Sequence, residues 1–377
     1  MINHIKIKNF RSLDVDVKLE PVTVLVGRSG TGKSNFVDAI RVLRDRLNSP
    51  HLPFNNSNIQ PITCKDNSLL EYEISFDVSH LQGVFTYLVK FNFDALVYEE
   101  KLSFENETLF HYDKGRWIVC PNIISANYQL RDMTGLTSIH GMQKISIAAV
   151  ALSEGIGCYD FPENVCREYT SNQDTTNGLL DDGKNTNVIF GKIKHDLTRL
   201  SSWNHINESM RFLNDSIQTI DQQSDRFGNI LVTHSFGDNS IVLELARESE
   251  GCRRFFAYML AFNQSPPKQT MIFEEPEKGL YPAAFAAFAQ EMKNCPKSGQ
   301  GQIILTTHSP DLLNSFEPES LRVVVMENGT TRIGLVSQDQ MQSLRDYLLK
   351  PGELLTVDDA RIDSPIISPA FLEGQTV

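Results

Sequence analysis

The pattern of apolar and polar positions divides the first fifty residues into two strand-like segments and one helix-like segment. Residues 2–8 alternate apolar and basic side chains, which predicts an exposed or edge strand. Residues 22–26 form a continuous apolar run rich in β-branched residues, which predicts a buried strand that stops at Gly27. Apolar side chains then recur at spacings of three and four from Phe36 to Leu47, as expected for an amphipathic helix.

Strand-like runs dominate the next part of the chain. A stretch rich in Pro, Asn and Ser over 51–68, which includes Gln60, predicts a loop. The polar punctuation of the runs that follow favours an antiparallel meander. These runs cover 69–78, 84–93, 96–104 and 105–118.

The second half of the chain begins with weaker patterns and ends in a regular alternation. Residues 126–230 predict a mainly helical insertion with helices over 189–200 and 204–220, and no heptad repeat is long enough for a coiled-coil arm. After residue 230, strand-like and helix-like segments alternate, which indicates a parallel sheet with helical crossovers. The predicted strands cover 241–245, 270–273, 303–306 and 321–326, and the predicted helices cover 249–262 and 282–293.

The composition is that of a globular protein with an acidic balance. Of 377 residues, 41% are hydrophobic, and the net charge is −12. A chain that coats nucleic acid needs a basic face, so this charge disfavours that class but leaves room for a local basic groove or a basic partner. The cysteines form no C-x-x-C pair, and the N-terminus has no apolar signal region. We therefore expect a cytoplasmic protein without membrane contact.

The clearest chemical motif follows the strand predicted at 22–26. Residues 27–34 are GRSGTGKS, which matches the phosphate-binding pattern G-x-x-x-x-G-K-[ST] between a predicted strand and a predicted helix. Glycines let backbone N–H groups turn towards phosphates, and the helix N-terminus adds partial positive charge. Lys33 is expected to reach the β- and γ-phosphates of ATP, and the Ser34 hydroxyl to bind Mg²⁺. The predicted nucleotide-binding residues are Gly27, Ser29, Gly30, Thr31, Gly32, Lys33 and Ser34.

Two further strands end in candidate catalytic side chains. Glu274 and Glu275 follow an apolar run, and His308 follows the next apolar strand along the chain. A carboxylate at the first strand end can hold Mg²⁺ through its water shell, and the next can polarise the attacking water. A histidine after the second strand can hydrogen-bond the γ-phosphate. We therefore predict Glu274 as a metal-site residue and Glu275 and His308 as catalytic residues.

Together these motifs resemble those of the ABC-type ATPases of the SMC/RecF/OLD group, and within it the small AAA15/AAA21 ATPases. The resemblance implies an α/β P-loop NTPase: an ABC-ATPase head with a split core and an inserted antiparallel-β and helical lobe, without a long coiled coil. A signature motif and a tail segment also match. The matching segments are IKNFRS at 7–12, the loop at 27–34, ESEG at 248–251, EEPEKGLYP at 274–282, TTHSP at 306–310 and PGELL at 351–355.

The resemblance also implies a head-to-tail pair of subunits with ATP between them. Ser249 and the backbone N–H groups of Glu250 and Gly251 would approach the γ-phosphate from the second subunit. Arg11 is a candidate nucleotide contact, with a solvated basic strand end as the alternative. Two positions depart from the usual pattern. Glu250 replaces a glycine and would repel a phosphate unless it points away, and Glu274 replaces the commoner aspartate, which changes its reach to the metal.

The resemblance predicts three parts of the chain. Residues 1–125 would form the N-terminal half of the ATPase core with the phosphate loop and the meander. Residues 126–230 would form the helical insertion. Residues 231–377 would form the C-terminal half with the signature, the carboxylates and the histidine.

The function expected from these features is that of an ATP-hydrolysing molecular switch. It would form a homodimer or higher homo-oligomer and act as the sensor or scaffold ATPase of a bacterial anti-phage system, controlling a separately encoded nuclease or toxin. Nucleic acid or a phage protein is a further candidate partner. The alternatives are a RecF-like DNA-repair ATPase that clamps DNA directly, and a scaffold that binds ATP without hydrolysing it.

Overall fold

The structure of the chain is a computed structural model that describes residues 1–48, 69–92, 96–123, 125, 130, 133–168, 178–223 and 228–363. The loop predicted over 51–68, with Gln60, lies outside these residues. Within the described ranges, every helix is too short or too polar to cross a membrane.

The described residues form sixteen strands in two sheets. Their bounds are β1 (Ile2–Phe10), β2 (Leu13–Lys18), β3 (Val22–Val26), β4 (Leu70–Val78), β5 (Leu81–Phe91), β6 (Val97–Phe104), β7 (Glu107–Asp113), β8 (Arg116–Val119), β9 (Ile156–Tyr159), β10 (Ile217–Gln222), β11 (Ile230–Phe236), β12 (Asn239–Glu244), β13 (Thr270–Glu274), β14 (Gln302–Thr306), β15 (Leu321–Glu327) and β16 (Thr330–Gly334).

Helices cover the faces of the larger sheet. The α-helices of the described residues are α1 (Lys33–Asn48), α2 (Gly135–Ser138), α3 (Gln143–Leu152), α4 (Thr186–His195), α5 (Leu200–Leu213), α6 (Glu250–Asn263), α7 (Phe285–Lys297), α8 (Pro310–Leu313) and α9 (Gln338–Arg345). Short 3₁₀ turns lie at Leu197–Arg199, Leu245–Arg247, Pro282–Ala284, Pro318–Ser320 and Pro351–Leu355.

The larger sheet joins a parallel part to an antiparallel part. Its 13 strands follow the order β8-β7-β6-β5-β4-β1-β2-β16-β15-β3-β14-β13-β9. Strands β15, β3, β14, β13 and β9 pair in parallel, whereas β4 to β8 form the predicted antiparallel meander. Because β3, β14 and β13 are parallel neighbours, the segments that follow them emerge at one edge of the sheet.

Two hydrophobic clusters lie on opposite faces of the parallel strands. Side chains alternate between them along each strand, because successive residues of a strand point to opposite faces. Along β14, Ile303 and Leu305 pack in the cluster that contains α6 and α7, and Ile304 packs in the cluster that contains α1 and α3. The split core is therefore a single sheet covered by helices on both faces.

The predicted edge position of the first strand is wrong. β1 lies between β4 and β2 and pairs with both of them. Its basic side chains do not mark a solvated edge, because Lys6 lies 3.9 Å from a carboxylate oxygen of Glu71 and 4.0 Å from one of Glu73 on β4. Such cross-strand ion pairs allow lysines on an interior strand whose apolar residues are buried.

Two predictions near the signature region also fail. The helix predicted over 204–220 ends at Leu213, and Ile217 begins β10 instead, because an Asn214 turn stops the helix. The Asn214 side-chain oxygen accepts from the backbone N–H of Ser216 at 3.1 Å. The strand predicted at 241–245 exists as β12, but it belongs to the antiparallel sheet β10-β11-β12 and not to the parallel sheet.

Candidate nucleotide-binding and catalytic site

The loop between β3 and α1 has the backbone shape of a phosphate cradle. Gly30 and Gly32 have φ angles of +79° and +104°, in a region of backbone conformation that residues other than glycine rarely adopt. A Cβ atom on Gly27 would come within 2.2 Å of the Val324 carbonyl oxygen. α1 begins directly after the loop at Lys33, so its free N–H groups and its partial positive charge face the loop.

A buried threonine from the far end of the chain supports this loop from behind. The Thr331 hydroxyl donates to the Thr31 carbonyl at 2.9 Å and lies 2.7 Å from the Ser12 hydroxyl. A Cβ atom on Gly32 would lie 2.1 Å from the Thr331 hydroxyl oxygen, so a glycine is required there. The sequence analysis missed Thr331, because nothing in the local pattern marks a contact across about 300 residues of chain.

Lys33 is the buried cation of the site. Its ammonium group donates to the carbonyl oxygens of Gly27 at 2.6 Å and Arg28 at 2.9 Å. Burial lowers its pKa to about 8, although the charges of Glu275 and Glu277 act in the opposite direction. The nearby carboxylates therefore do not offset the cost of burying the ammonium, and phosphate oxygens would supply the missing negative charge.

The remaining predicted loop residues line the mouth of the cradle. Ser29 and Ser34 are exposed, and the Thr31 hydroxyl donates to the Arg28 carbonyl at 2.9 Å. The Arg28 guanidinium pairs with Asp359 from the C-terminal segment, with Nε 2.9 Å from one carboxylate oxygen. No role was assigned to Asp359 from the sequence.

Glu274 ends β13 and Glu275 follows it, and the two side chains face different neighbours. The Glu274 carboxylate lies 3.8 Å from the Arg41 guanidinium of α1. Glu275 has a φ of +43°, which is strained for a glutamate, and its backbone N–H donates to the Thr306 carbonyl at 3.1 Å. This backbone position turns the chain out of the sheet, so the two carboxylates leave the strand in different directions.

Glu275 and His308 meet across the ends of β13 and β14. The His308 Nε2 lies 3.7 Å from one Glu275 carboxylate oxygen, and the Lys278 ammonium lies 2.9 Å from the other. The hydrogen bond from Lys278 to Glu275 raises the pKa of Lys278. We name the group formed by Lys33, Glu275 and His308 the catalytic edge.

Glu277 contacts the catalytic edge through His308, and no role was assigned to it from the sequence. One of its carboxylate oxygens accepts from the Thr307 hydroxyl at 2.9 Å and from the His308 backbone N–H at 2.7 Å. Within the described part of the chain, its other oxygen is buried without a hydrogen-bond partner. The signal that could have found it is a third carboxylate just beyond the paired glutamates.

The predicted signature residues Ser249, Glu250 and Gly251, hereafter the signature segment, begin α6. The Ser249 hydroxyl caps the helix by accepting from the Cys252 backbone N–H at 3.3 Å. A Cβ atom on Gly251 would lie 2.7 Å from the Gly279 carbonyl oxygen, so this glycine allows α6 to pack closely on the turn after the carboxylates.

The unusual glutamate of the signature segment is paired within its own helix. The Glu250 carboxylate lies 2.9 Å from the Arg254 Nε, one helical turn along. The Arg254 Nη1 also donates to the Lys278 carbonyl at 3.1 Å. Glu250 therefore leans back along α6, with its charge balanced by Arg254.

Arg11 lies beside the first turns of α1. Its guanidinium donates to the Asn35 side-chain oxygen at 3.0 Å and to the Asp38 carboxylate at 2.6 Å. The Asn35 amide donates in turn to the Ser12 hydroxyl at 2.9 Å. Arg11 is thus part of the polar contacts that brace the start of α1, and its contact with a nucleotide stays a prediction.

The donors of the site fit ATP with Mg²⁺. The glycine cradle and the buried Lys33 suit the phosphates, and the Ser34 hydroxyl and Glu274 carboxylate are the hard oxygen ligands that Mg²⁺ prefers. Glu274 would have to exchange its neighbour Arg41 for the metal's water shell, because the two side chains now lie 3.8 Å apart. The set of side chains is consistent with phosphoryl-transfer chemistry.

Comparison with solved structures shows the same fold in other proteins. A crystal structure of an SMC head bound to the C-winged helix domain of ScpA has a TM-score of 0.56 at 14% identity, over 91% of this chain and 99% of that chain. An SMC head domain with an extended coiled coil, bound to the C-terminal domain of ScpA from Pyrococcus furiosus, has a TM-score of 0.54 at 12% identity, over 92% and 99%. The predicted α/β P-loop NTPase fold is confirmed.

Two family models match separate parts of the sequence. AAA_15, described as "AAA ATPase domain", matches residues 1–134. AAA_21, described as "AAA domain, putative AbiEii toxin, Type IV TA system", matches residues 168–314. No curated protein matches the sequence significantly. Each match covers less than half of the chain, so the chain is similar to AAA ATPase domains over these two segments and shares the fold of SMC heads.

Proposed function

We propose that the protein is a molecular switch that binds and hydrolyses ATP. The observation that carries the proposal is the catalytic edge, where Lys33, Glu275 and His308 follow three neighbouring parallel strands. Segments from three distant parts of the chain converge there on one phosphate cradle. Their side chains supply a cation, a carboxylate and an imidazole, which can neutralise charge on the phosphates, orient the attacking water and donate to the γ-phosphate.

Each residue of the site has a distinct task in this mechanism. Lys33 exchanges its bonds to the loop carbonyls for the β- and γ-phosphates, whose charge restores its ordinary basicity. Glu275 orients the attacking water and accepts its proton, and His308 donates to the γ-phosphate. Ser34 and Glu274 would hold Mg²⁺, which neutralises charge on the phosphates when it is bound.

We also propose that two subunits complete the site. The signature segment begins a 14-residue helix, whose N-terminal N–H groups and dipole favour an anion from a second subunit. The repulsion expected from Glu250 is reduced, because Arg254 balances its charge at 2.9 Å. ATP would thus close a homodimer or higher homo-oligomer, and hydrolysis would reopen it.

The proposed biological role is that of the sensor or scaffold ATPase of a bacterial anti-phage system, which controls a separately encoded nuclease or toxin. Two considerations support it. The description of the AAA_21 family refers to a toxin and a type IV TA system, and similar SMC heads bind a domain of a separate protein, ScpA. The net charge of −12 suits a basic protein partner better than direct contact with DNA.

Purified protein tests this proposal in one set of measurements. We expect Mg²⁺-dependent release of phosphate from ATP, and an ATP-dependent doubling of mass in light scattering for the Glu275→Gln variant. Failure of the wild type to release phosphate would leave only the scaffold alternative. ATP-dependent binding to plain duplex DNA that weakens steeply with salt would favour the DNA-clamping alternative instead. Co-purification with the product of a neighbouring gene encoding a nuclease or toxin tests the role.

A further inference from the structure

The turn after β13 carries a carboxylate that organises the neighbouring strand end. One Glu277 oxygen accepts two hydrogen bonds from the segment after β14, from the Thr307 hydroxyl at 2.9 Å and from the His308 backbone N–H at 2.7 Å. The Thr307 hydroxyl in turn accepts from the Ser309 backbone N–H at 3.0 Å. The path of the chain from Thr307 to Ser309 is therefore set by a single carboxylate on the turn after β13.

The His308 ring has few constraints of its own. The side chain is 35% exposed, and its nearest charged neighbour, the Glu275 carboxylate, lies 3.7 Å away, beyond hydrogen-bond distance. The backbone anchor at Glu277 thus fixes where the ring begins. Two charge-assisted hydrogen bonds on one oxygen are strong enough to hold a loop in a single arrangement.

The second Glu277 oxygen distinguishes a role that depends on charge from a role that depends on position. It is buried and has no hydrogen-bond partner among the described residues, although the Glu277 charge acts on Lys33. A residue that acts by its charge would depend on this oxygen and on the negative charge. A residue that acts by position would depend only on the acceptor that holds Thr307 and His308.

We propose that Glu277 is a positioning residue for His308: it holds the imidazole against Glu275 and the γ-phosphate site and does not act on the nucleotide itself. This inference rests on the proposed function, because the task of His308 is defined there. It assigns to the fourth residue of the EEPE segment a task that neither of the two preceding glutamates performs.

Three substitutions separate position from charge. Glu277→Gln keeps a side chain of the same length, with an oxygen that accepts from Thr307 and His308. Glu277→Ala removes this oxygen. We expect Glu277→Ala to lower kcat by about 30-fold, with KM for ATP changed by less than about twofold, and Glu277→Gln to keep kcat within about threefold of the wild type. The control is Glu291→Ala. It removes a half-buried glutamate of α7, whose carboxylate lies 2.8 Å from His205.

A double variant tests whether Glu277 acts through the imidazole. His308→Ala keeps the backbone N–H but removes the ring, so we expect Glu277→Ala/His308→Ala to be no slower than His308→Ala alone. A second readout needs no turnover. The ring NMR signal of His308, assigned by its loss in His308→Ala, should shift in Glu277→Ala and stay unchanged in Glu291→Ala.

Distinct results would overturn the inference. If Glu277→Gln is as slow as Glu277→Ala, the charge and not the position matters. If the losses of the two single variants multiply in the double variant, Glu277 acts independently of His308. An unshifted His308 signal in Glu277→Ala also overturns it, whether or not the wild type hydrolyses ATP. Absence of turnover in the wild type, in contrast, overturns the proposed function, and the NMR readout still decides the positioning.

Discussion

The catalytic edge and the signature segment are built in opposite ways. The catalytic edge gathers side chains from three parallel strands, and its charged groups face one another across the ends of β3, β13 and β14. The signature segment is a short stretch at the start of one helix, and its charge is balanced by Arg254 of that same helix. One region brings together charges from separate strands, and the other is the capped start of a single helix.

In the proposed dimer, this difference indicates how binding and turnover would divide between the two subunits. A buried lysine with a lowered pKa and a strained glutamate are costly arrangements that a protein keeps where a ligand is bound. The start of α6 has no comparable cost, because Ser249 caps it and Arg254 neutralises it. We therefore expect ATP binding to depend on one subunit, and turnover to depend on the second as well.

The largest expected effect is on chemistry at the catalytic edge. Glu275→Gln keeps the size of the side chain but removes the base, so we expect kcat to fall by about 1,000-fold while ATP binding changes little. Steady-state phosphate release and binding of a fluorescent ATP analogue measure the two quantities. Glu319→Gln, in an exposed pair with Arg345, is the matched control. Near-normal turnover in Glu275→Gln would show that Glu275 is not the base.

The next effect is on binding within one subunit. Lys33→Ala removes the buried cation from the cradle, and we expect the Kd for ATP to rise by about 100-fold. Isothermal titration calorimetry measures it at a concentration where the protein is monomeric. Lys144→Ala, which removes a lysine paired with Glu107 on the surface, should leave the Kd unchanged. Unchanged affinity in Lys33→Ala would contradict the division between the two regions.

The pH dependence of binding sharpens the same point. Because the Lys33 pKa is about 8 without ligand, the side chain is charged below pH 8 and loses its proton above it. Phosphates favour the charged form, so binding above pH 8 takes up a proton and affinity falls by up to about tenfold per pH unit. Calorimetry in buffers of different ionisation enthalpy measures this uptake. Lys268→Met, which removes another lysine whose pKa burial lowers, should keep the same profile.

Removing the cation that balances Glu250 tests the signature segment. Arg254→Gln removes the balancing guanidinium, so a carboxylate faces the phosphate of the second subunit, and we expect the ATP-dependent dimer of the Glu275→Gln protein to weaken about tenfold. Glu250→Gln added to this variant should restore it. Arg345→Gln, in an exposed ion pair, is the control. Analytical ultracentrifugation measures the dimer, and weakened ATP binding by the monomer would show that the two regions are not separate.

The smallest expected effect is at the mouth of the cradle. Arg28 and Asp359 form an ion pair with side chains 74% and 55% exposed, and exposed pairs contribute little. We therefore expect Asp359→Asn to change the Kd for ATP by less than about threefold. The same calorimetric titration checks this. A tenfold change would mean that the C-terminal segment belongs to the nucleotide site.

Local patterns were enough to predict the elements that position the phosphate loop. The β-branched run at 22–26 became β3 with the predicted bounds, and the strand-like runs over 69–104 became the first strands of the meander. Both patterns reflect burial on one or two faces of a strand, which neighbouring residues alone encode. The carboxylates and the histidine could be placed because each follows such a strand.

Contacts between distant segments could not be predicted in this way. The place of β1 inside the sheet depends on glutamates of β4 that neutralise Lys6, and the loop support depends on Thr331. Ile217 and Ile220 suit a helix as well as a strand, and only the Asn214 turn decides between them. The local signal for Glu277 was limited to a third carboxylate beyond the paired glutamates, and its contacts depend on the segment after a different strand.

The neighbours of β3 set the order in which the protein becomes competent during synthesis. β3 carries the phosphate loop, yet its partners in the sheet are β14 and β15, which the ribosome makes almost 300 residues later. Thr331, which braces the loop, follows them. A nascent chain that has exposed only its first half therefore has the complete GRSGTGKS motif without the sheet that shapes it. We therefore expect the loop to take its phosphate-binding shape only after β14, β15 and Thr331 have been made.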